Sequence, residues 1–527
     1  MRPLDRQHWA NLMTAPDPLR SILIVGGGTA GWSAAALLSA VLAPAGTAIT
    51  LIETSDVPTV GVGEATIPPV FAFLANCGID EIDFIRHCQA TFKLAIRFDD
   101  WLEQGHSYWH PFGNIGVTIN QRPFHHYWWK NKAAGHGESM GDLCPAIALA
   151  QDGKFAFPPP DGSFPGGALN YALHFDAGLV AQYLRRHAEA RGVQHIDARI
   201  AGTVLAEDGA IAAVMLADGR QIAADFFIDC SGFRGLLIEE ALHAGYEDWT
   251  KWLPCDRAVA MPTATVGAPA PYTVSAAHEA GWRWRIPLQS RVGNGYVYSS
   301  RHVSDEAAAE TLRGSVTGEA LAEPRFLRFN AGHRKAMWVK NCLAVGLSSG
   351  FLEPLESTSI HLIHTALNRL LDYFPDRRCD PVLAAAYNRE AADEYAHIRD
   401  FLLLHYVPNR RFGEPFWDEI RATPLPDSLA AKLELFQRTG RVVSRRRELF
   451  ADVSWFFVAA GMGIEPQALD PLADAAPFDE VRGVIGQIAE VMGRYRSAAP
   501  THQDMLARLL DPALKGRPNF AQVWGGA

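Results

Sequence analysis

"SILIVGGGTAGWSAAALLSAVL", residues 21–42, is the stretch whose reading decides the fold. Ile22 to Val25 form a short β-rich apolar run of the kind a buried parallel strand shows. Gly26, Gly28 and Gly31 follow at GxGxxG spacing, and alanine-rich helical sequence begins at Thr29 and Ala30. The glycines serve a tight turn, close backbone approach to a pyrophosphate and close helix–sheet packing. The opening turn of the helix offers free N–H groups and the positive end of its dipole to phosphates. A lone GxGxxG is weak, because a tight strand–turn–helix can use the same glycines. Here "GTAITLIE" (46–53) supplies a second apolar strand ending in Glu53. That places an acid about 20 residues on, where it can hold a ribose hydroxyl. Strand, glycines, helix and acid in this order predict dinucleotide binding. The acid favours an unphosphorylated adenosine ribose, hence FAD or NAD over NADP.

Two later segments favour FAD. "ADFFIDCSGFRG" (224–235) is a strand running into Asp229, Gly232 and Gly235, and "NCLAVGLSSGFLEPLEST" (341–358) is another entering a Gly-Ser turn. FAD-dependent hydroxylases of the glutathione-reductase-like fold return to the cofactor late in the chain in this way. Their usual acid after the glycine of the third segment is absent, since Gly346 is followed by Leu347. A flavin pocket related to theirs but modified is expected. The fold class is therefore α/β: a glutathione-reductase-like, Rossmann-type FAD-binding fold with mixed sheets.

Composition narrows the rest. A chain of 527 residues with 48% hydrophobic and 20% charged content has ordinary globular composition and length for a large core. A net charge of -10 without a basic block argues against nucleic acid as partner. The seven cysteines are scattered, odd in number and lack CxxC spacing, which suits reduced thiols and no metal site. No apolar run reaches about 18 residues, and the N-terminus lacks a signal-like apolar core, so a cytoplasmic protein off the membrane is expected. Residues 1–19 read as a polar lead-in, 20–380 as the FAD-binding core with inserted substrate-site elements, and 381–527 as a helix-rich lobe.

"WRWRIP" (282–287) sets Trp282 and Trp284 at strand spacing, followed by Ile286 and Pro287. Alone, this is a half-buried strand stopped by proline. Together with "GGGTAGW" (26–32), "GVGEATIPP" (61–69), "FKLAIRF" (92–98), "WHPFG" (109–113), "LNYALHFDA" (169–177) and "GFLEPLESTSI" (350–360), it resembles the flavin-dependent tryptophan-type halogenases, from about residue 20 to 465. That resemblance implies FAD used as FADH2, with O2 and chloride or bromide as co-substrates. It also implies hypohalous acid that travels through a tunnel to an electron-rich, indole-type small aromatic. In this picture Trp282, Trp284, Ile286 and Pro287 wall the flavin from the substrate and suppress hydroxylation. Gly26, Gly28, Thr29, Ala30, Gly31, Glu53, Ala65, Gly346 and Leu347 hold the cofactor.

Lys93 matches the family's catalytic lysine; without the flanking match it reads as a lysine snorkelling from an amphipathic strand. A buried ammonium can hydrogen-bond hypohalous acid, while a haloamine on the neutral amine is the competing account. Glu356 matches the essential glutamate, a carboxylate placed to stabilise the cationic ring and take its proton. Glu353 is an alternative by residue type, and Ser357 adjoins Glu356 as a hydrogen-bonding partner. Halide binding falls to the backbone of Thr358 and Ser359, where many members carry glycine at the second position. His110 and Phe112 match the pair that stacks on the substrate ring, against the plain alternative of packed core.

"VSWFFVAAGMG" (453–463) aligns with the tyrosines and acid that hold free tryptophan's charged end, yet offers Trp455, Phe456 and Phe457 without an acid. A zwitterion needs polar partners once its water is gone, so an indole or a larger indolic compound is favoured over free tryptophan. A tryptophan halogenase and a flavin aromatic hydroxylase remain as alternatives, with a non-catalytic flavoprotein behind them. No second nucleotide fingerprint is present for NADH, so a separate NADH-dependent flavin reductase is the expected partner, and the family implies a homodimer.

Overall fold

The computed structural model describes residues 17–42, 46–56, 63–158, 167–444 and 448–514. Residues 1–16 of the lead-in and Gly61 and Val62 of the GVGEATIPP motif lie outside the described residues.

Among the described residues, a six-stranded sheet runs in the order Trp338–Val339, Cys342–Ala344, Phe226–Asp229, Ser21–Val25, Ala48–Glu53, Gln194–Asp197. All neighbours are parallel except the first pair. Such strands are buried on both faces, which is why Ile22 to Val25 read as one apolar run. The register aligns Val25 with Asp229 and with Ile52, and Asp229 with Ala344. The three segments singled out in the sequence therefore end at one sheet edge, beyond the strand C-termini, where open α/β sheets bind ligands.

A seven-stranded sheet follows the order Arg325–Arg328, Arg257–Ala264, Arg291–Tyr298, Gly281–Pro287, Tyr272–His278, Ala95–Asp99, Ser107–Pro111. Gly281–Pro287 lies inside this sheet, between two antiparallel partners. Trp282, Trp284 and Ile286 share one face and are buried, while Arg283 and Arg285 take the other and are half-buried. Gly295, opposite Trp284, leaves the space its indole occupies, since a Cβ there would stand 2.1 Å from the ring.

A small antiparallel sheet, Gly63–Ala65, Ala172–Asp176 and Thr91–Lys93, joins the two halves and carries Lys93 opposite Ala172. The long helix Pro381–Tyr406 starts with Asp380 capping the Val382 N–H and proline in its first turn. It ends just before Val407 and Pro408, a residue that cannot continue a helix. One apolar cluster runs from Trp32 and Ile24 through Trp282 and Trp284 to Phe401, Trp455 and Phe456, so the helical lobe shares its core with the nucleotide half.

Candidate active site

The nucleotide turn comes first. Gly26 has φ +105°, and a Cβ on it would stand 2.3 Å from the Cys230 carbonyl oxygen, so the turn passes tightly over the neighbouring strand end. A Cβ on Gly31 would stand 1.8 Å from the Gly26 oxygen, whereas a Cβ on Gly28 would meet nothing within 4 Å. The first and third glycines thus serve the fold, and the second borders open space at the start of the helix Thr29–Leu42. Gly346, with φ +73°, opens a short 3₁₀ turn packed on Ala30, which brings Leu347 to the same rim, half-exposed. Glu53 ends its strand with His195 Nε2 3.1 Å and Arg185 3.8 Å from its carboxylate. Burial raises its pKa, opposed by His195 and Arg185. Ala65 is buried in the small sheet, opposite His174. This open cradle at a helix N-terminus, with an acid beside it, fits an FAD pyrophosphate and ribose. Gly28→Val should therefore leave the thermal midpoint within about 2 °C of the parent while weakening FAD binding at least about tenfold. Thermal melts and flavin fluorescence titration would check both halves.

The second centre lies at Lys93. It is fully buried, and its Nζ donates to the Thr66 carbonyl at 3.0 Å and to Ser357 Oγ at 2.7 Å. The ring of Phe112 lies beneath the amine, 5.0 Å to its centroid. Burial pulls the pKa down to about 7, against the pull of Glu356 towards the charged form. The Ser357 hydroxyl thus binds the lysine rather than Glu356, correcting the partner expected from adjacency. It does so because Ser357 has φ +60°, a left-handed bend that ends the turn Pro354–Glu356.

Glu356 is equally buried. His110 Nδ1 donates to Oε2 at 2.7 Å, and His405 Nε2 lies 2.8 Å from Oε1 but off the line of a good hydrogen bond. Burial would raise this carboxyl, yet the two imidazoles outweigh it and hold it below the usual carboxylate range. Burial lowers the pKa of His405 in spite of Glu356. His405 Nδ1 in turn meets the Tyr108 hydroxyl at 2.7 Å. Beyond Glu356, Thr358 precedes the helix Ser359–Asp372, whose first-turn N–H groups have no intrahelical acceptor. Thr358 Oγ1 is buried without a hydrogen-bond partner among the described residues.

His110 and Phe112 meet edge to face, ring centroids 6.5 Å apart at 71°, and so form a corner. Phe401 and Phe450, stacked at 3.7 Å, continue it from His110, and Trp455 closes on Phe401 at 5.1 Å. Lys432 covers the Trp455 ring at 4.1 Å and pairs with Glu448. Phe456 turns away, stacking on His125 at 5.0 Å and meeting Trp128 edge-on. On the other side, the Trp282–Trp284 face belongs to the same core, and Ile286 approaches Gly63. The Pro287 carbonyl accepts from Thr91 Oγ1 at 2.7 Å, tying the strand Gly281–Pro287 to the strand Thr91–Lys93. Thr66, Tyr108, Phe401, His405 and Phe450 were not singled out in the sequence. The signal for His405 was two polar residues, His405 and Tyr406, ending an otherwise apolar run.

The sequence matches the Tryptophan halogenase family over residues 21–478. Tryptophan 7-halogenase RebH of Lentzea aerocolonigenes is 36% identical over 88% of this chain and 94% of its own length. Among solved structures, Xcc4156, a flavin-dependent halogenase from Xanthomonas campestris, superposes with TM-score 0.90 at 45% identity, covering 95% of this chain and 100% of that one. BrvH, a flavin-dependent halogenase from Brevundimonas sp. BAL3, does so with TM-score 0.90 at 43% identity, covering 93% and 99%. The α/β fold with its mixed sheets is thus the fold of the flavin-dependent halogenases. This chain belongs to the tryptophan halogenase family.

Proposed function

We propose that the protein halogenates an electron-rich indolic ring at the corner bounded by Lys93, His110, Phe112, Phe401, Phe450 and Trp455. FADH2, when bound, supplies the reducing equivalents with which O2 oxidises chloride or bromide to hypohalous acid. Gly26, Gly28, Thr29, Ala30, Gly31 and Glu53 bind the cofactor's dinucleotide portion, with Ala65, Gly346 and Leu347 at the rim. Thr358 and Ser359 offer backbone N–H groups to the halide. Trp282, Trp284, Ile286 and Pro287 exclude the aromatic substrate from the flavin side. Lys93 donates a hydrogen bond to the oxidant and fixes its approach. Glu356 stabilises the cationic ring and accepts the proton from the substituted carbon. Phe456 supports Trp455's helix from behind rather than touching substrate.

The observation that carries this reading is a pair of fully buried, opposite-signed groups, Lys93 and Glu356, the lysine held by the Ser357 hydroxyl, beside an aromatic corner. An ordinary core does not bury two such charges without cause. The apolar lining favours an indole or larger indolic compound over free tryptophan. It contains Lys432, but that ammonium is already paired with Glu448.

Mass spectrometry of reactions with indole and with tryptophan, each given FAD, a flavin reductase, NADH, O2 and chloride or bromide, tests the reading. A halogen isotope pattern on indole is expected, and hydroxylated indole would overturn the wall. Halogenated tryptophan would place an ammonium-and-carboxylate anchor in the helical lobe. The purified protein alone should not oxidise NADH above the rate of free flavin, since a separate reductase is its partner. Among the described residues, no helix is long and apolar enough to cross a membrane.

A further inference from the structure

The first glutamate of the EPLEST segment, Glu353, has no role in the chemistry above, yet it is as deeply buried as Glu356. Its Oε2 accepts from the indole Nε1 of Trp282 at 2.8 Å and from the Tyr406 hydroxyl, while Oε1 has no hydrogen-bond partner among the described residues. The Cys255 thiol lies beside both Glu353 and Tyr406. Burial of this carboxyl pushes its pKa up to about 7, against Tyr406, Trp282 and Cys255. A buried acid with no cation beside it among its hydrogen-bond partners is costly to keep, and one of those partners is Trp282.

Trp282 needs such a partner. Its ring is bounded by other rings, Trp101 at 6.3 Å and Trp284 at 6.3 Å, neither lying parallel to it. Ring packing of this kind resists translation of an indole but gives its N–H no preferred direction. A buried N–H must find an acceptor, and a carboxylate is the strongest one available to it. The same 3₁₀ turn, Pro354–Glu356, follows Glu353 and ends in Glu356. The consecutive residues His405 and Tyr406, at the end of the long helix, approach Glu356 and Glu353 respectively. One turn therefore sets both the proton acceptor at the aromatic corner and the indole of the wall.

We propose that Glu353 is a positioning residue for the halogenation reaction: by accepting the Trp282 N–H it fixes the plane of that indole and keeps the oxidant's route directed to Lys93. This rests on the assignment of Trp282 to the separating wall. Glu353 touches neither substrate nor oxidant, so its loss acts on how oxidising equivalents are partitioned, not on substrate affinity.

The test is a double-mutant cycle on the full chain, run with indole, bromide, FAD, a flavin reductase, NADH and O2. The readouts are halogenated product per FADH2 oxidised, hypohalous acid escaping to solution (trapped as the sulfoxide of an added thioether), and the KM for indole. Glu353→Leu, which leaves the indole N–H without an acceptor, is expected to lower product per FADH2 about tenfold. Hypohalous acid escaping to solution, trapped by an added thioether, should rise to match, with KM for indole unchanged within about twofold. Glu353→Gln, which retains an acceptor oxygen, is expected to recover most of the coupling. In a Trp282→Phe background, Glu353→Leu should have no further effect. An undiminished tenfold loss in that background would overturn the proposal, because Glu353 would then act independently of Trp282. Full coupling in Trp282→Phe itself would instead remove the wall assignment. Should Glu353→Leu fail to fold, Glu353→Asp serves in its place. It keeps the carboxyl but withdraws it by one methylene, and wild-type coupling there would equally overturn the proposal.

Discussion

Lys93→Ala is expected to reduce halogenated product by about 10³-fold or more, the size of effect seen when a preorganised donor is removed from a reaction centre. Hydrogen peroxide should still accumulate at the parent rate, since the flavin cradle is untouched. Lys93→Met keeps the stem volume and separates lost chemistry from a cavity; it should be as inactive as the alanine variant. Liquid chromatography–mass spectrometry of product against peroxide measures both. The pH profile then distinguishes the two roles open to the amine. Lys93 titrates at about 7, burial being the dominant cause and Glu356 opposing it. If the ammonium donates to the oxidant, activity falls with one proton as pH rises through about 7; a haloamine route predicts the opposite slope. The donor route is expected, because ionised Glu356 nearby favours the cation. Unfolding cannot mimic the loss. With its pKa depressed on folding, this lysine binds more protons in the unfolded chain between about 7 and 10.5, so it makes stability rise with pH across that window.

Glu356→Gln is expected to lower kcat by about 10²- to 10³-fold with little change in KM. The amide keeps the shape and can still accept from His110, but it neither neutralises a ring cation nor takes its proton. Its diagnostic is kinetic: with the base gone, proton loss becomes slow, and deuterium at the substituted carbon should produce a primary isotope effect absent from the parent. The folded carboxyl sits below its ordinary value, because the imidazoles of His110 and His405 outweigh burial. Its contribution to stability is therefore present above the unfolded pKa of about 4.3 and is lost as pH falls through the folded value. Glu356→Gln should accordingly flatten the acid side of the stability profile. An unchanged rate in this variant would remove Glu356 from the chemistry.

The nucleotide half was legible because its signal is local. A strand, three glycines, a helix and an acid occur within one short stretch, and each part has a job that the residue type alone announces. The two later returns were legible for the same reason: apolar strand into Gly-Ser turn. The roles proposed for Lys93, Glu356 and the Trp282–Trp284 strand rest on the family's motifs alone, since a lysine on an apolar strand has a commonplace meaning. What the sequence hid was pairing across long separations. His405 is 49 residues from Glu356, and Phe401 of the long helix meets Phe450, which lies in a bend just ahead of the helix Asp452–Gly461, only in the folded lobe. Ser357 was assigned to its neighbour in sequence, whereas a left-handed bend turns its hydroxyl to Lys93. Trp455 and Phe456 stood together in the alignment, but a helix sends consecutive side chains about 100° apart, and only the first faces the aromatic corner.

The 26-residue helix Pro381–Tyr406 has a practical consequence for recombination between relatives. Near its start Asn388 accepts from the Met337 and Trp338 N–H groups at the edge of the parallel sheet. Glu394 then holds Arg369 at mid-length, and His405 and Tyr406 meet the two glutamates at its end. A chimera that exchanges the helical lobe at residue 381 would cut between partners of all three contacts and import a foreign strut. A crossover placed after Val407 would keep the strut with the sheet and the turn it braces. Libraries seeking new substrates should place their seam there and vary the segment carrying Lys432, Phe450 and Trp455.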